Sequence, residues 1–238
     1  MRNLFYLGIC LLLTRPLQGQ DRMLVDPNAT VRMLNGSFDR IHVSHAIKLI
    51  ITQGGEESMA VSAAEEKFKE DIKTEVVNNT LKIYSKGNDW RGRDRKLRVY
   101  VSFKTLLKLE VSGASDVAAI GTLKGNEFSL GVSGASTVKA TFEVDKLSIG
   151  MSGASKASLS GSAASLDLDC SGATDISAYD LKIIRASVTV SGASDVYIMV
   201  EKEINVSASG ASHVSYKGNP TVTNVKSSGA SGISKKIL

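Results

Sequence analysis

The chain has 238 residues, a formal net charge of +5 and few aromatic side chains, 5% of the whole. That length holds one sizeable core or one elongated stack, and scarce rings beside abundant Gly, Ser, Ala and Val favour thin β layers over a thick globular interior. The charge is locally balanced, with 11 basic and 11 acidic side chains in residues 111–238 against 16 and 13 in residues 21–110, so no nucleic-acid partner is expected.

Residues 1–20 read as a signal peptide. Arg2 gives a positive start, residues 4–13 are almost unbroken apolar chain, and charge returns at Asp21-Arg22. The apolar run is too short to span a bilayer, which needs roughly 20 residues, and no other segment approaches that length. Residues 21–238 are therefore expected to form one exported domain, in the periplasm, on the outer-membrane surface or secreted. Cys10 follows Ile9, where lipid attachment wants a small side chain. Cys170 is then alone in the mature chain, which excludes an intramolecular disulfide.

Residues 21–105 are irregular. Ile41-His42-Val43-Ser44-His45-Ala46-Ile47-Lys48-Leu49 alternates like a strand, turns, and alternates again. His42 and His45 fall on opposite faces of such a strand and make a poor metal pair. Residues 63–72 suit a short helix, and strands are predicted around Leu81 and Ile83 and over Leu97, Val99, Val101 and Phe103. Between these two strands lies the densest basic run, Trp90-Arg91-Gly92-Arg93-Asp94-Arg95-Lys96-Leu97-Arg98, with the only Trp. Its candidate ligand-binding residues are Trp90, Arg91, Arg93, Arg95 and Arg98, since Arg can grip an anion bidentately while Trp stacks on a sugar. A solvated loop without a ligand is the alternative.

Residues 106–238 are regular. Ser-Gly-Ala-Ser begins at Ser112 and again at Ser133, Ser152, Ser171 (ending in Thr174), Ser191, Ser209 and Ser228, at intervals of 21, 19, 19, 20, 18 and 19 residues. Such a period marks a solenoid whose units stack on their neighbours. Before each turn the apolar positions alternate, as in Val132, Leu130 and Phe128 or Val111, Leu109 and Leu107, and one apolar residue recurs after it, as in Val117, Val138 and Ile176. These are strands on either side of a fixed corner. The fold class predicted is all-β, a right-handed parallel β-helix with rungs of about 20 residues, its degenerate N-terminal rungs acting as a cap. Gly113, Gly134, Gly153, Gly172, Gly192, Gly210 and Gly229 are the structural turn glycines. The Ala after each is expected in a narrow interior, and the Ser hydroxyls on local backbone or on the next rung. A nucleophile would be one Ser beside a base, so seven copies read as scaffold.

The residue after each turn forms an outward column: Asp116, Thr137, Lys156, Asp175, Asp195, His213 and Gly232. Asp175 and Asp195 are the candidate metal ligands, a stacked pair of oxygen donors, with solvated surface charge as the alternative. Met151 and Cys170 fall in inward columns and read as core. No cofactor is expected.

Phe38-x-x-Ile41-x-Val43, Asn79-Thr80-Leu81-x-Ile83 and the serial Val-Ser-Gly-Ala-Ser-Asp-Val units resemble the head-GIN domain family of "putative auto-transporter adhesins", found largely in Bacteroidetes. The resemblance covers nearly the whole mature chain. It implies a β-helical exported domain for which adhesion has been proposed. Residues 232–238 alone follow the last turn, so a membrane barrel that would export a passenger is not expected in this sequence. The function expected is a structural or adhesin-like module of the cell envelope without catalysis, in contact with a surface glycan or envelope protein and open to homo-oligomerisation. The alternatives are an envelope glycan- or lipid-binding protein and, behind it, a β-helical polysaccharide lyase or hydrolase.

Overall fold

In a computed structural model of the protein, residues 26–86 and 95–237 are described, so the expected signal peptide and residues 87–94 lie outside them. The N-terminal part contains β1 (Thr30–Arg32), β2 (Arg40–Val43), β3 (Lys48–Gln53), β4 (Ser58–Ser62), a single helical turn α1 (Glu66–Lys69), β5 (Ile72–Val77), β6 (Thr80–Ser85) and β7 (Arg98–Phe103). The regular part contains β8 (Lys108–Val111), β9 (Asp116–Val132), β10 (Thr137–Met151), β11 (Lys156–Cys170), β12 (Asp175–Val190), β13 (Asp195–Ala208), β14 (His213–Lys217), β15 (Thr221–Ser227) and β16 (Gly232–Lys235).

From β8 onward the chain winds as a parallel β-solenoid. Each long strand pairs in parallel with the next at the repeat spacing, as in Val138 beside Ala157 and Met151 beside Cys170. Two periods of pattern produce it. Alternation points every second side chain inward, and the alternation breaks at Asp145-Lys146, where two successive residues face out and the strand rounds a corner. Val138, Ala140, Phe142, Val144, Leu147, Ile149 and Met151 are thereby buried in one rung, and their equivalents continue one core along the axis. Met151 and Cys170 sit in it as core, and burial pushes the Cys170 thiol up to about 11. Leu107 departs from the alternation expected of it: it is 43% exposed, and Leu106 takes the buried place where the chain enters its first regular rung.

The N-terminal strands stack on the same axis, but in an order the chain does not follow. The rung β2-corner-β3 lies directly beneath β8-corner-β9, with Val43 beside Val111 and Leu49 beside Val117. Aligning residues 41–49 with the repeat unit gives the same register, and Ser44 marks an eroded copy of the turn. His45 occupies the Gly place at φ 66°. Beneath it lies another rung, β6 and β7, which pair with β2 and β3 on their other edges. Antiparallel β5 on β6, β4 on β7 and β1 on β4 then close that end. The helical turn is tied in by Arg32, whose guanidinium donates to the Lys69 and Ile72 carbonyls at 2.6 Å each. Irregular antiparallel pieces end a stack of parallel strands that would otherwise expose unpaired edges.

Candidate functional site

The corner shows what the repeated residues are used for. Gly153 has φ +73°, and a Cβ there would lie 2.6 Å from the Gly134 oxygen of the preceding rung. That oxygen accepts the N–H of Ala154 at 2.8 Å, so adjacent corners touch through backbone and leave no room for a side chain. The Ala does not take the interior place expected of it, while the Ser hydroxyls bond to local backbone and to the neighbouring rung as expected. Ala114 is exposed, whereas Ser115 and its equivalents Ser136, Ser155, Thr174, Ser194 and Ser212 are buried. A corner of this hand turns its third residue outward and its fourth inward. In three rungs the buried hydroxyl closes the turn by donating to the carbonyl three residues back, Ser155 to Ser152 at 3.0 Å, Ser194 to Ser191 at 3.1 Å and Ser212 to Ser209 at 2.9 Å, whereas the Ser136 and Thr174 hydroxyls are buried without a hydrogen bond. The first serine reaches across rungs instead, as Ser191 does to the Cys170 carbonyl at 3.2 Å.

What varies lies outside. The column after the corner is in register and runs Arg98, Lys48, Asp116, Thr137, Lys156, Asp175, Asp195, His213, Gly232. Asp175 and Asp195 are thus brought together as neighbours, and the Lys156 ammonium stands 3.8 Å from the Asp175 carboxylate. No group of three or more His, Cys, Asp or Glu among the described residues is placed to hold a metal, so a cation on this pair would complete its shell with water.

Beside that pair the repeat is interrupted. Ala178 opposes Ile198 and Lys182 opposes Met199, so residues 179–181 bulge from β12. The bulge carries Tyr179 over the outer face, where its ring meets that of Tyr197 at 5.6 Å and its hydroxyl donates to Ser215 at 2.8 Å. Bulges re-aim side chains in this way. Lys217 and Lys236 hold their ammonium groups 4.5 and 5.5 Å from the centre of the Tyr179 ring. Asp195 first, then burial, then Asp175, raises the Tyr197 hydroxyl above its ordinary pKa, which keeps it protonated as a donor. Of this group, Tyr197 is turned outward by the regular alternation of its own strand. Tyr179, Lys217 and Lys236 reach it only through the bulge and the stacking of two further rungs.

At the other end of the same face, Asp26, Pro27, Lys48, Ile50, Arg98, Tyr100, Ala118 and Ile120 line an open groove of about 370 Å³. Asp26 accepts from the Tyr100 hydroxyl at 2.7 Å and lies 3.5 Å from Arg98. The Tyr100 bond, against opposing burial, holds the Asp26 carboxyl below the usual range, with Ser62, the Asn28 N–H and Arg98 adding to it. Of the basic run, Trp90, Arg91 and Arg93 lie outside the described residues. Arg95 pairs with Asp71 at 3.1 Å with its side chain only 11% exposed, and Arg98 forms one wall of the groove. His42 and His45 do not converge: the first meets Ser112 at 3.3 Å and the second Ser44 at 2.7 Å.

Several solved structures share this fold. One described as a putative adhesin from Bacteroides fragilis superposes with a TM-score of 0.82 at 20% identity, over 89% of this chain and 98% of that one. Another from Parabacteroides merdae gives 0.68 at 17% identity, over 88% and 97%. A third, described as a putative lipid binding protein from Parabacteroides distasonis, gives 0.65 at 17% identity, over 88% and 97%. At these identities the likeness is one of fold. No curated protein matches the chain. The sequence pattern described as "Putative auto-transporter adhesin, head GIN domain" matches residues 37–220, from just before β2 to the start of β15, and the chain belongs to that family.

Proposed function

We propose that this protein is an exported adhesive module of the cell envelope that binds rather than catalyses. The observation that carries the reading is the in-register outer face. The repeated Gly and Ser residues are consumed in closing corners, and the variable side chains stand in columns about 4.8 Å apart on a rigid frame. Such a face offers many weak contacts in fixed positions, the geometry for holding a large repetitive surface molecule. Membership of an adhesin family supports a place at or outside the cell surface, and no described helix is long and apolar enough to cross a membrane.

Full chain immobilised on a sensor is expected to retain envelope glycans or whole cells, with no product released from polygalacturonate incubated beside it. Turnover of that polymer overturns the reading in favour of a β-helical lyase or hydrolase. A second reading, lipid binding, has one specific observation in its favour: the apolar floor of Ile50, Ala118 and Ile120 suits an acyl chain and Lys48 and Arg98 beside it an anionic head group, and one protein of the same fold is described as lipid binding. Retention of an acyl-chain probe without any glycan or cell retention favours it.

A further inference from the structure

The bulge at Tyr179 coincides with a second irregularity, one of charge. After Glu203 the sequence contains no acidic residue, while Lys217, Lys226, Lys235 and Lys236 follow. Two of these converge. Lys235 pairs in register with Tyr216, so Lys236 follows one rung above Lys217, and both ammonium groups lie against the Tyr179 ring. No carboxylate forms an ion pair with either among the described residues. Like charges stacked in this way repel one another unless an anion lies between them, and the electron-rich ring only partly compensates. On the opposite side of the aromatic pair stand Asp175 and Asp195, in register and partly exposed, with the Tyr197 hydroxyl beside them.

The patch is therefore ordered as cations, ring pair, carboxylates. Cations accept an anionic substituent, an exposed aromatic ring packs on the apolar face of a sugar, and carboxylates accept hydrogen bonds from sugar hydroxyls. A simple polyanion uses the first of these and is repelled by the last. We propose that Tyr179, Tyr197, Lys217 and Lys236, with Asp175 and Asp195, form a binding site for an acidic polysaccharide. Its carboxylate or sulfate lies at Lys217 and Lys236, its ring on Tyr197, and its hydroxyls toward the two Asp side chains. The proposal rests on the adhesive reading and supplies its ligand class.

The test is binding of polygalacturonate, dextran sulfate, neutral dextran and polyglutamate, of matched length, to the full chain. The wild type is expected to retain one or both acidic polysaccharides and neither neutral dextran nor polyglutamate, and preference for polygalacturonate or for dextran sulfate tells a carboxylate site from a sulfate site. Lys217→Ala with Lys236→Ala, and separately Tyr197→Ala, are each expected to weaken retention about tenfold, equivalent to about 1.4 kcal/mol. Lys217→Arg with Lys236→Arg keeps it. Tyr197 is half-buried on the outer face, so the melting of its variant is measured beside the wild type, and retention lost at a temperature where the variant is still folded is a lost contact rather than a lost fold. Equal retention of polyglutamate, or indifference to Tyr197→Ala, overturns the site as plain cation exchange. If the wild type holds cells or neutral glycans and no acidic polysaccharide, this proposal falls and the adhesive reading stands; if it holds nothing, both fall.

Discussion

At the scale of single residues, the corner separates what is fixed by sterics from what is fixed by hydrogen bonding. Gly153→Ala would place a side chain in a left-handed conformation, a cost of about 1–2 kcal/mol, and would also drive the Gly134 oxygen from its bond to Ala154. In a chain of this size 1 kcal/mol moves the melting midpoint by roughly 2–4 °C. The variant is expected to melt about 5 °C or more below the wild type by circular dichroism, while Ala154→Ser, on the exposed place, is expected to leave the midpoint unchanged. The count of seven Ser-Gly-Ala-Ser/Thr turns makes the glycine legible from sequence alone. Which of the two flanking small residues faces inward is not legible, because the hand of a tight turn decides it and both are small enough for either place. That is why the Ala is expected inside, where the structure instead buries the fourth residue of the turn.

Among the elements, the strands were legible wherever a single pattern governs them. Residues 41–49 keep the repeat's apolar spacing even though His45 stands where Gly is expected, so their register with residues 109–117 follows from sequence. The rung formed by β6 and β7 was not legible as such. Its strands are evident, but their pairing to β2 and β3 depends on contacts distant in sequence, and the twelve residues between them, 86–97, do not carry the repeat's Ser-Gly-Ala-Ser turn. The bulge in β12 is likewise invisible beforehand, since an interval of 20 residues lies within the range of the others.

One element has a pH signature. The Tyr100 hydroxyl on β7 is pushed up to about 12 from 10.0, first by burial and then by its bond to Asp26. A group whose pKa is raised on folding contributes stability that is fully present below pH 10 and is lost as the pH rises from 10 towards 12. Thermal melts of the wild type are therefore expected to fall across that window, and the fall is expected to be smaller in Tyr100→Phe. Asp26 acts at the opposite limit: its lowered pKa contributes stability above about pH 4 that is lost on further acidification.

The whole molecule is a stack with unlike ends. One is closed by antiparallel strands and a helical turn. At the other, all seven residues of β15 are exposed, and Val222 and Val225, which belong to inward places, are uncovered. The four lysines after Glu203 oppose the meeting of two copies through that end.

The inverted order of the first rungs bears on how the chain acquires its shape. β2, β3, β6 and β7 satisfy one another without any residue beyond 103, and together they leave one edge of β2 and β3 unpaired. That edge is the place to which β8 and β9 add. The N-terminal segment can thus assemble first and serve as a seed, and each later coil then joins a finished neighbour across a short loop rather than searching for a distant one. Pulsed hydrogen exchange during refolding is expected to find the amides of β2, β3, β6 and β7 protected before those of β13 and β14, so that growth runs in one direction, from the closed end outward.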